Sequence, residues 1–194
     1  IRSINLKINE GEKVAILGRN GSGKSTLMKL ASGLFKASDG LVMFDGVDIR
    51  QLHTDDLSRS IGIVLQDVQL FSGTIRDNIL MGRFDISQDD LVNAGKLSGL
   101  DEFVSKIPGG YDLRLSDGGK GLSGGQRQSI ALARAIVHKP SHFILDEPTS
   151  AMDMNAENLF INQVGSVLKD STMLIVTHRT VSYTHLRAHE TSED

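Results

Sequence analysis

The stretch that most constrains this chain is Val14-Ala15-Ile16-Leu17 running into Gly18-Arg19-Asn20-Gly21-Ser22-Gly23-Lys24-Ser25. Four apolar residues in a row read as a short strand buried on both faces. Beyond the glycines, apolar residues return at Leu27, Leu30, Ala31 and Leu34, the spacing of one helix face. Strand, glycine loop and helix in that order fit G-x-x-x-x-G-K-[ST]. The glycines let the backbone curl so that successive N–H groups and the helix N-terminus converge on phosphate oxygens. Lys24 would then reach the β and γ phosphates, and the Ser25 hydroxyl would ligate Mg²⁺. Alone, the pattern fixes an α/β unit and says only that a nucleotide is bound.

Further strands support such a unit. Leu41 to Phe44 followed by Asp45-Gly46 reads as strand and turn, and Ile61 to Leu65 as another strand. Phe143-Ile144-Leu145 and Met173 to Val176 are continuous apolar runs of the kind buried in a parallel sheet. From about Asp67 to Pro140 the signals turn mostly helical, with a polar connection over Ser116 to Lys120. The expected division is a core of residues 1–66 plus 141–180 and a helical subdomain of residues 67–140. Ile4 to Ile8 alternates like a strand at the very start, so the chain reads as a fragment there. Residues 181–194 show neither helical nor strand period and resemble the translated read-through of a transposon-based sequencing adapter. They are expected to be a non-native tail outside the fold, and His185 and His189 within them are not read as a metal pair.

The bulk numbers narrow the function classes. With 194 residues, 39% hydrophobic and 23% charged, there is enough chain for a domain with a real core. A net charge of −3 gives no electrostatic reason for binding nucleic acid or an anionic membrane, and no nucleic-acid partner is expected. The absence of cysteine excludes disulfides and thiolate metal sites. No apolar run approaches the roughly 18 residues that span a bilayer.

Two more stretches carry chemistry. In Phe143-Ile144-Leu145-Asp146-Glu147 an apolar strand delivers two carboxylates at its end. Adjacent strand residues point to opposite sides, so the two are expected to do different jobs. Asp146 is the candidate for holding Mg²⁺ through water, and Glu147 for polarising the attacking water as general base. Ser123-Gly124-Gly125 precedes a run of helix formers from Gln126 to Val137 with apolar Ile130, Ala133 and Val137. An unobstructed helix N-terminus is an anion site. It has no lysine of its own, so the simplest arrangement is two copies docked head to tail, each capping the other's nucleotide.

Taken together, Gly18 to Ser25, Gln66 after a strand, Leu122-Ser123-Gly124-Gly125-Gln126, Ile144-Leu145-Asp146-Glu147, Ser150-Ala151-Met152-Asp153 and His178 after a strand resemble the ordered motifs of an ATP-binding cassette (ABC) ATPase. The resemblance runs across nearly all of residues 1–180. It implies an α/β P-loop NTPase (RecA-like) core, a helical subdomain inserted between Gln66 and the Asp146 strand, and a homodimer with ATP sandwiched between two nucleotide-binding domains. It implies a phosphate cradle of Gly18, Asn20, Gly21, Ser22, Gly23, Lys24, Ser25 and Thr26. Ser123, Gly124, Gly125 and Gln126 would face the γ-phosphate bound by the other copy. Ser25, Gln66 and Asp146 would serve Mg²⁺, while Glu147, His178 and Gln66 would serve hydrolysis. Asp153 would sit at the dimer interface.

The stretch from Gln66 to Ile79 resembles the segment that, in ABC exporters, meets the membrane domain. Leu70 and Phe71 would suit such a dock, although core packing could account for one of them. Gly109-Gly110-Tyr111-Asp112 and Met152 within the Ser150 to Asp153 motif resemble the ATPase-permeases of bacterial type I secretion. That branch implies a fused transmembrane domain, a periplasmic adaptor, an outer-membrane channel and a place on the cytoplasmic face of the inner membrane. Two features depart from the pattern or fall outside it. Ser116-Asp117 stands where exporters usually have Gly-Glu, which puts communication with the membrane domain in doubt rather than ATP chemistry. The adenine-stacking aromatic of the family lies upstream of Ile1. A small-molecule or lipid exporter would share every catalytic residue. A soluble ABC ATPase of DNA repair or translation is the other alternative, although the coiled-coil or zinc insertions of repair versions have no counterpart here.

Overall fold

A computed structural model describes residues 4–19, 21–150, 152, 154–178 and 187–190. Its first elements are β1 (Lys13–Leu17), α1 (Lys24–Ala31), β2 (Met43–Phe44), β3 (Val47–Asp48), α2 (Thr54–Ser60) and β4 (Ile61–Val64). There follow β5 (Gly73–Thr74), α3 (Ile75–Leu80), α4 (Gln88–Leu97), α5 (Asp101–Val104), β6 (Arg114–Leu115) and α6 (Gly124–Ile136). β7 (His142–Asp146), α7 (Met154–Val167), β8 (Thr172–Thr177) and β9 (Arg187–Glu190) complete the order. Backbone contacts gather these into two compact units, one within residues 1–63, 140–147 and 170–194, the other within residues 64–139 and 148–169. The sequence reading placed residues 148–169 with the core strands, whereas the backbone groups them with the helices.

The first unit is built on a sheet of order β4-β7-β8-β1-β9. β1, β7 and β8 run parallel, with Val14 opposite Leu174 and Ile144 opposite that same Leu174. The continuous apolar runs are explained by this placement, because a central parallel strand is covered on both faces. Val14, Ile16, Ile144, Leu174 and Val176 meet Met28 of α1, Leu57 of α2 and Ile61 in one core cluster. Met28 is fully buried, a contribution of roughly 1.5–3 kcal/mol for a side chain of that size. α1 ends against Gly33, where φ is +74° and an added Cβ would lie 2.6 Å from Leu57 Cδ2. Only glycine satisfies both demands.

Two expectations for this unit change. Arg187–Glu190, set aside with the tail, pairs in parallel with Val14 to Leu17 as β9 and covers the free edge of β1. Four residues suffice because an edge strand needs only backbone partners, which no side-chain pattern has to announce. The remainder of residues 181–194 lies outside the described residues. Ile4 to Ile8, expected as a strand, has no regular secondary structure, and Ile4 and Leu6 are exposed.

In the second unit α3 and α4 pack on α6. Ile75, Ile79, Leu91, Leu100, Ile130 and Leu132 form its buried interior. α3 opens on a capping box in which Thr74 accepts from Asp77 N–H and the Asp77 carboxylate accepts from Thr74 N–H. β5 and β6 pair antiparallel and tie the start of α3 to the loop before α6. The 3₁₀ turn Gly110–Asp112 sets Tyr111 against α4, with its hydroxyl over Gly95.

Candidate nucleotide site

At the C-terminal end of β1 the chain enters the glycine loop, where Gly21 and Gly23 hold φ of +86° and +87°. Those left-handed conformations are what the glycines are for, since a side chain at either position would strain the turn. Gly23 is the N-cap of α1 and offers no side-chain acceptor, so the first N–H groups of that helix remain open to an anion. Lys24 is buried and folded onto the loop itself, its Nζ donating to Gly18 O at 2.7 Å and Arg19 O at 2.8 Å. The ammonium is thereby held inside the loop, where the phosphates of a nucleotide would offer it a stronger, charged acceptor. Ser22 Oγ is buried and has no hydrogen-bond partner among the described residues. Ser25 and Thr26 open the first turn of α1 and are exposed. Asn20 lies outside the described residues.

The carboxylates stand at the end of β7. Asp146, still in the strand, is 6% exposed; Ser25 donates a hydrogen bond to its carboxyl, and Oδ1 has no hydrogen-bond partner among the described residues. Burial pushes this carboxyl above the ordinary aspartate range; the Ser25 hydrogen bond opposes the rise, the Glu147 charge adds to it, and Lys24 and Lys29 counter it. A buried acceptor with one oxygen unmade, beside a serine and a lysine, is the environment a divalent cation relieves. Among the described residues no group of three or more His, Cys, Asp or Glu could hold a metal. Mg²⁺ is usually bound through one or two carboxylates, waters and phosphate oxygens, and Asp146 with Ser25 offers a carboxylate and a hydroxyl of that kind.

Glu147 leaves the strand with φ of +42°, left-handed for a residue that also precedes Pro148. Both features cost conformational energy, on the order of 1–3 kcal/mol in all. The conformation is held by Glu147 N–H donating to Val176 O at 2.8 Å, and by His178 Nδ1 lying 3.0 Å from Glu147 Oε1. The two acids therefore have separate partners. The backbone twist at Glu147, rather than strand alternation, separates them. The first unit thus brings Lys24, Ser25, Asp146, Glu147 and His178 to the C-terminal ends of β1, β7 and β8, where open α/β sheets place their ligands.

Gln66, Ser123, Gly124, Gly125 and Gln126 belong to the second unit. Ser123 is the N-cap of α6 in a capping box: its hydroxyl accepts from Gln126 N–H at 3.1 Å, and Gln126 Oε1 accepts from Ser123 N–H at 2.8 Å. Gln126 is thereby engaged in holding the turn, while the Ser123 hydroxyl keeps its proton to donate. Gln66 is exposed, with its backbone carbonyl facing α6. Leu70 is buried and Phe71 is 40% exposed, so core packing claims the first and leaves the second available for a dock. Ser72 hydrogen-bonds Asp117, one of the two residues that depart from the exporter pattern. Asp153 lies outside the described residues.

Three polar side chains here were not singled out by sequence. Asn78 is fully buried and brackets the loop before α3, accepting from Phe71 N–H and donating to Phe71 O and Thr74 O. Arg134 of α6 donates to Asn78 O at 2.7 Å and Gln69 O at 3.2 Å. Gln128 lies on the same face as Leu132 and Ala135. That i, i+4, i+7 spacing was the available signal that this glutamine is inside.

Residues 1–150 match the family described as ABC transporter. This chain belongs to the ABC transporter family. It is 43% identical over 179 residues to the cyclolysin secretion/processing ATP-binding protein CyaB of Bordetella pertussis, covering 92% of this chain and 25% of that protein. It is 41% identical over 187 residues to an ATP-dependent lipid A-core flippase of Legionella pneumophila, covering 95% of this chain and 32% of the flippase. A bacterial Atm1-family ABC exporter with ATP bound has the same fold at a TM-score of 0.86 and 32% identity, covering 94% of this chain and 32% of the exporter. The ABC chain described here thus spans a quarter to a third of the length of these relatives. The α/β P-loop fold class expected from the sequence stands.

Proposed function

We propose that the chain binds ATP with Mg²⁺ at the phosphate loop of the first unit, hydrolyses it, and thereby drives a fused transmembrane domain that exports polypeptides. The observation that carries the hydrolytic reading is the contact of 3.0 Å between His178 and Glu147 beside a buried, incompletely partnered Asp146. In this reading the glycine loop and α1 N-terminus bind the phosphates, and Lys24 exchanges its two carbonyl acceptors for phosphate oxygens. Ser25 and Asp146 would hold Mg²⁺, which when bound would supply positive charge against that developing on the transferred phosphoryl group. Glu147 accepts the proton of the attacking water, and His178, donating from Nδ1, fixes the carboxylate so that one oxygen faces that water. By the same family resemblance, Gln66 would serve Mg²⁺ and the attacking water. Ser123 and the α6 N-terminus serve the nucleotide of a second copy, in a head-to-tail homodimer at the cytoplasmic face of a bacterial inner membrane.

The similarity to CyaB, named for cyclolysin secretion and processing, supports the secretion reading; the periplasmic adaptor and outer-membrane channel are carried by the resemblance to type I secretion ATPase-permeases alone. The nearly equal identity to a lipid A-core flippase favours a second reading, export of lipids or small molecules. Stimulation of ATPase activity in the complete protein by an unfolded polypeptide, set against stimulation by lipid A, separates the two. Hydrolysis itself is tested by Glu147→Gln. We expect turnover to fall by about 10²–10⁴-fold, the usual reach of a general base, with ATP binding retained. Steady-state turnover equal to wild type would remove Glu147 from its role.

A further inference from the structure

The amide of Gln128 is placed where a purely structural residue would be apolar. It is 1% exposed on α6, on the face it shares with buried Leu132 and Ala135. Its Nε2 donates to Gln66 O at 3.5 Å, the outer limit of a hydrogen bond, and its Oε1 has no hydrogen-bond partner among the described residues. A leucine or methionine would fill this volume without burying a carbonyl oxygen whose bond is unmade. Farther along the same helix, Arg134 grips Asn78 O at 2.7 Å, so the segment from Gln69 to Asn78 is pinned to α6 while the Gln66 end is held loosely. The Gln66 side chain is exposed and free to act, so whatever fixes its backbone fixes where that side chain can reach.

We propose that Gln128 is a positioning residue for Gln66. It ties the Gln66 carbonyl to the helix that begins at Ser123, and the long contact shortens in the arrangement that hydrolyses ATP. Ser123 is five residues before Gln128, about 7.5 Å along the helix axis, so a pull on the α6 N-terminus is felt directly at Gln66. This rests on the ATPase function proposed above.

The test uses the complete protein with ATP and Mg²⁺, comparing wild type, Gln128→Met, Gln66→Ala and the double variant. Gln128→Met is expected to melt no lower than wild type and to leave the KM for ATP nearly unchanged. Its kcat should fall by about tenfold to a hundredfold, the usual cost of a small misplacement. The Mg²⁺ concentration needed for half-maximal activity should rise with it. Adding Gln128→Met to Gln66→Ala should slow the enzyme no further, since one acts through the other. Gln128→Glu, which retains an acceptor but loses the donor to Gln66 O, should be as slow as Gln128→Met, while Gln128→Asn with its donor should recover part of the rate. A wild-type kcat in Gln128→Met, or effects of the two single variants that multiply in the double, would overturn the proposal. A wild-type protein that does not hydrolyse ATP would overturn the function on which it stands.

Discussion

Asp146→Asn should make the nucleotide-free protein more stable at neutral pH while destroying its response to Mg²⁺ and ATP. Asp146 is 6% exposed; Ser25 hydrogen-bonds its carboxyl, and among the described residues Oδ1 has no partner. Burial raises its pKa above the ordinary 3.8, so the folded state binds this proton more tightly than the unfolded chain does. Stability is then highest below that ordinary value and is lost as pH rises through the folded one. A buried charged acceptor with an unmade bond costs about 1–3 kcal/mol. Asparagine keeps the Ser25 contact but leaves its own amide incompletely bonded, so the gain belongs at the low end, about 1 kcal/mol. For a chain of this size that is a rise in Tm of about 2–4 °C. Melting in EDTA from pH 4 to pH 8 measures it: the variant should lie above wild type at pH 8, and the gap should close towards pH 4. Adding Mg²⁺ with ATP should reverse the order, because only wild type gains a ligand that stabilises the folded state. A lower Tm for Asp146→Asn at pH 8 in EDTA, or a gap that does not change with pH, would refute the assignment of Asp146 as a buried carboxylate kept for a cation.

Two further outcomes follow from single contacts. Lys24→Ala removes the ammonium held by Gly18 O and Arg19 O and should weaken binding of a fluorescent ATP analogue by tenfold or more, about 1.4 kcal/mol; unchanged affinity would separate the glycine loop from nucleotide binding. Gly95→Ala would place a Cβ 1.7 Å from the Tyr111 hydroxyl and should lower Tm despite alanine's better helix propensity, since overpacking costs about 1–3 kcal/mol; Tyr111→Phe in the same chain should restore part of the loss, and a Tm at or above wild type for Gly95→Ala alone would show that Tyr111 can move aside freely.

What could be read from the sequence was whatever is encoded locally. The strand runs at Val14, Phe143 and Met173 became β1, β7 and β8 within a residue or two, because a strand buried on both faces has no polar positions to hide it. The same holds for Gly18 to Ser25 and for Ser123, where the residue types demanded by left-handed turns and helix caps announce themselves. Strand β9 went unread because its partner is backbone alone, and Ile4 to Ile8 was misread because alternation describes a strand only if a neighbour pairs with it. The left-handed turn at Glu147 could not be foreseen either. It is imposed by Val176 O and His178, about thirty residues away, and nothing in Asp-Glu-Pro marks it. The contacts that sequence missed, Gln128 with Gln66 and Arg134 with Asn78, join positions 62 and 56 residues apart. They lie on the helix that begins at Ser123, so the residues whose work was hardest to read are those that carry its position to the segment behind Gln66.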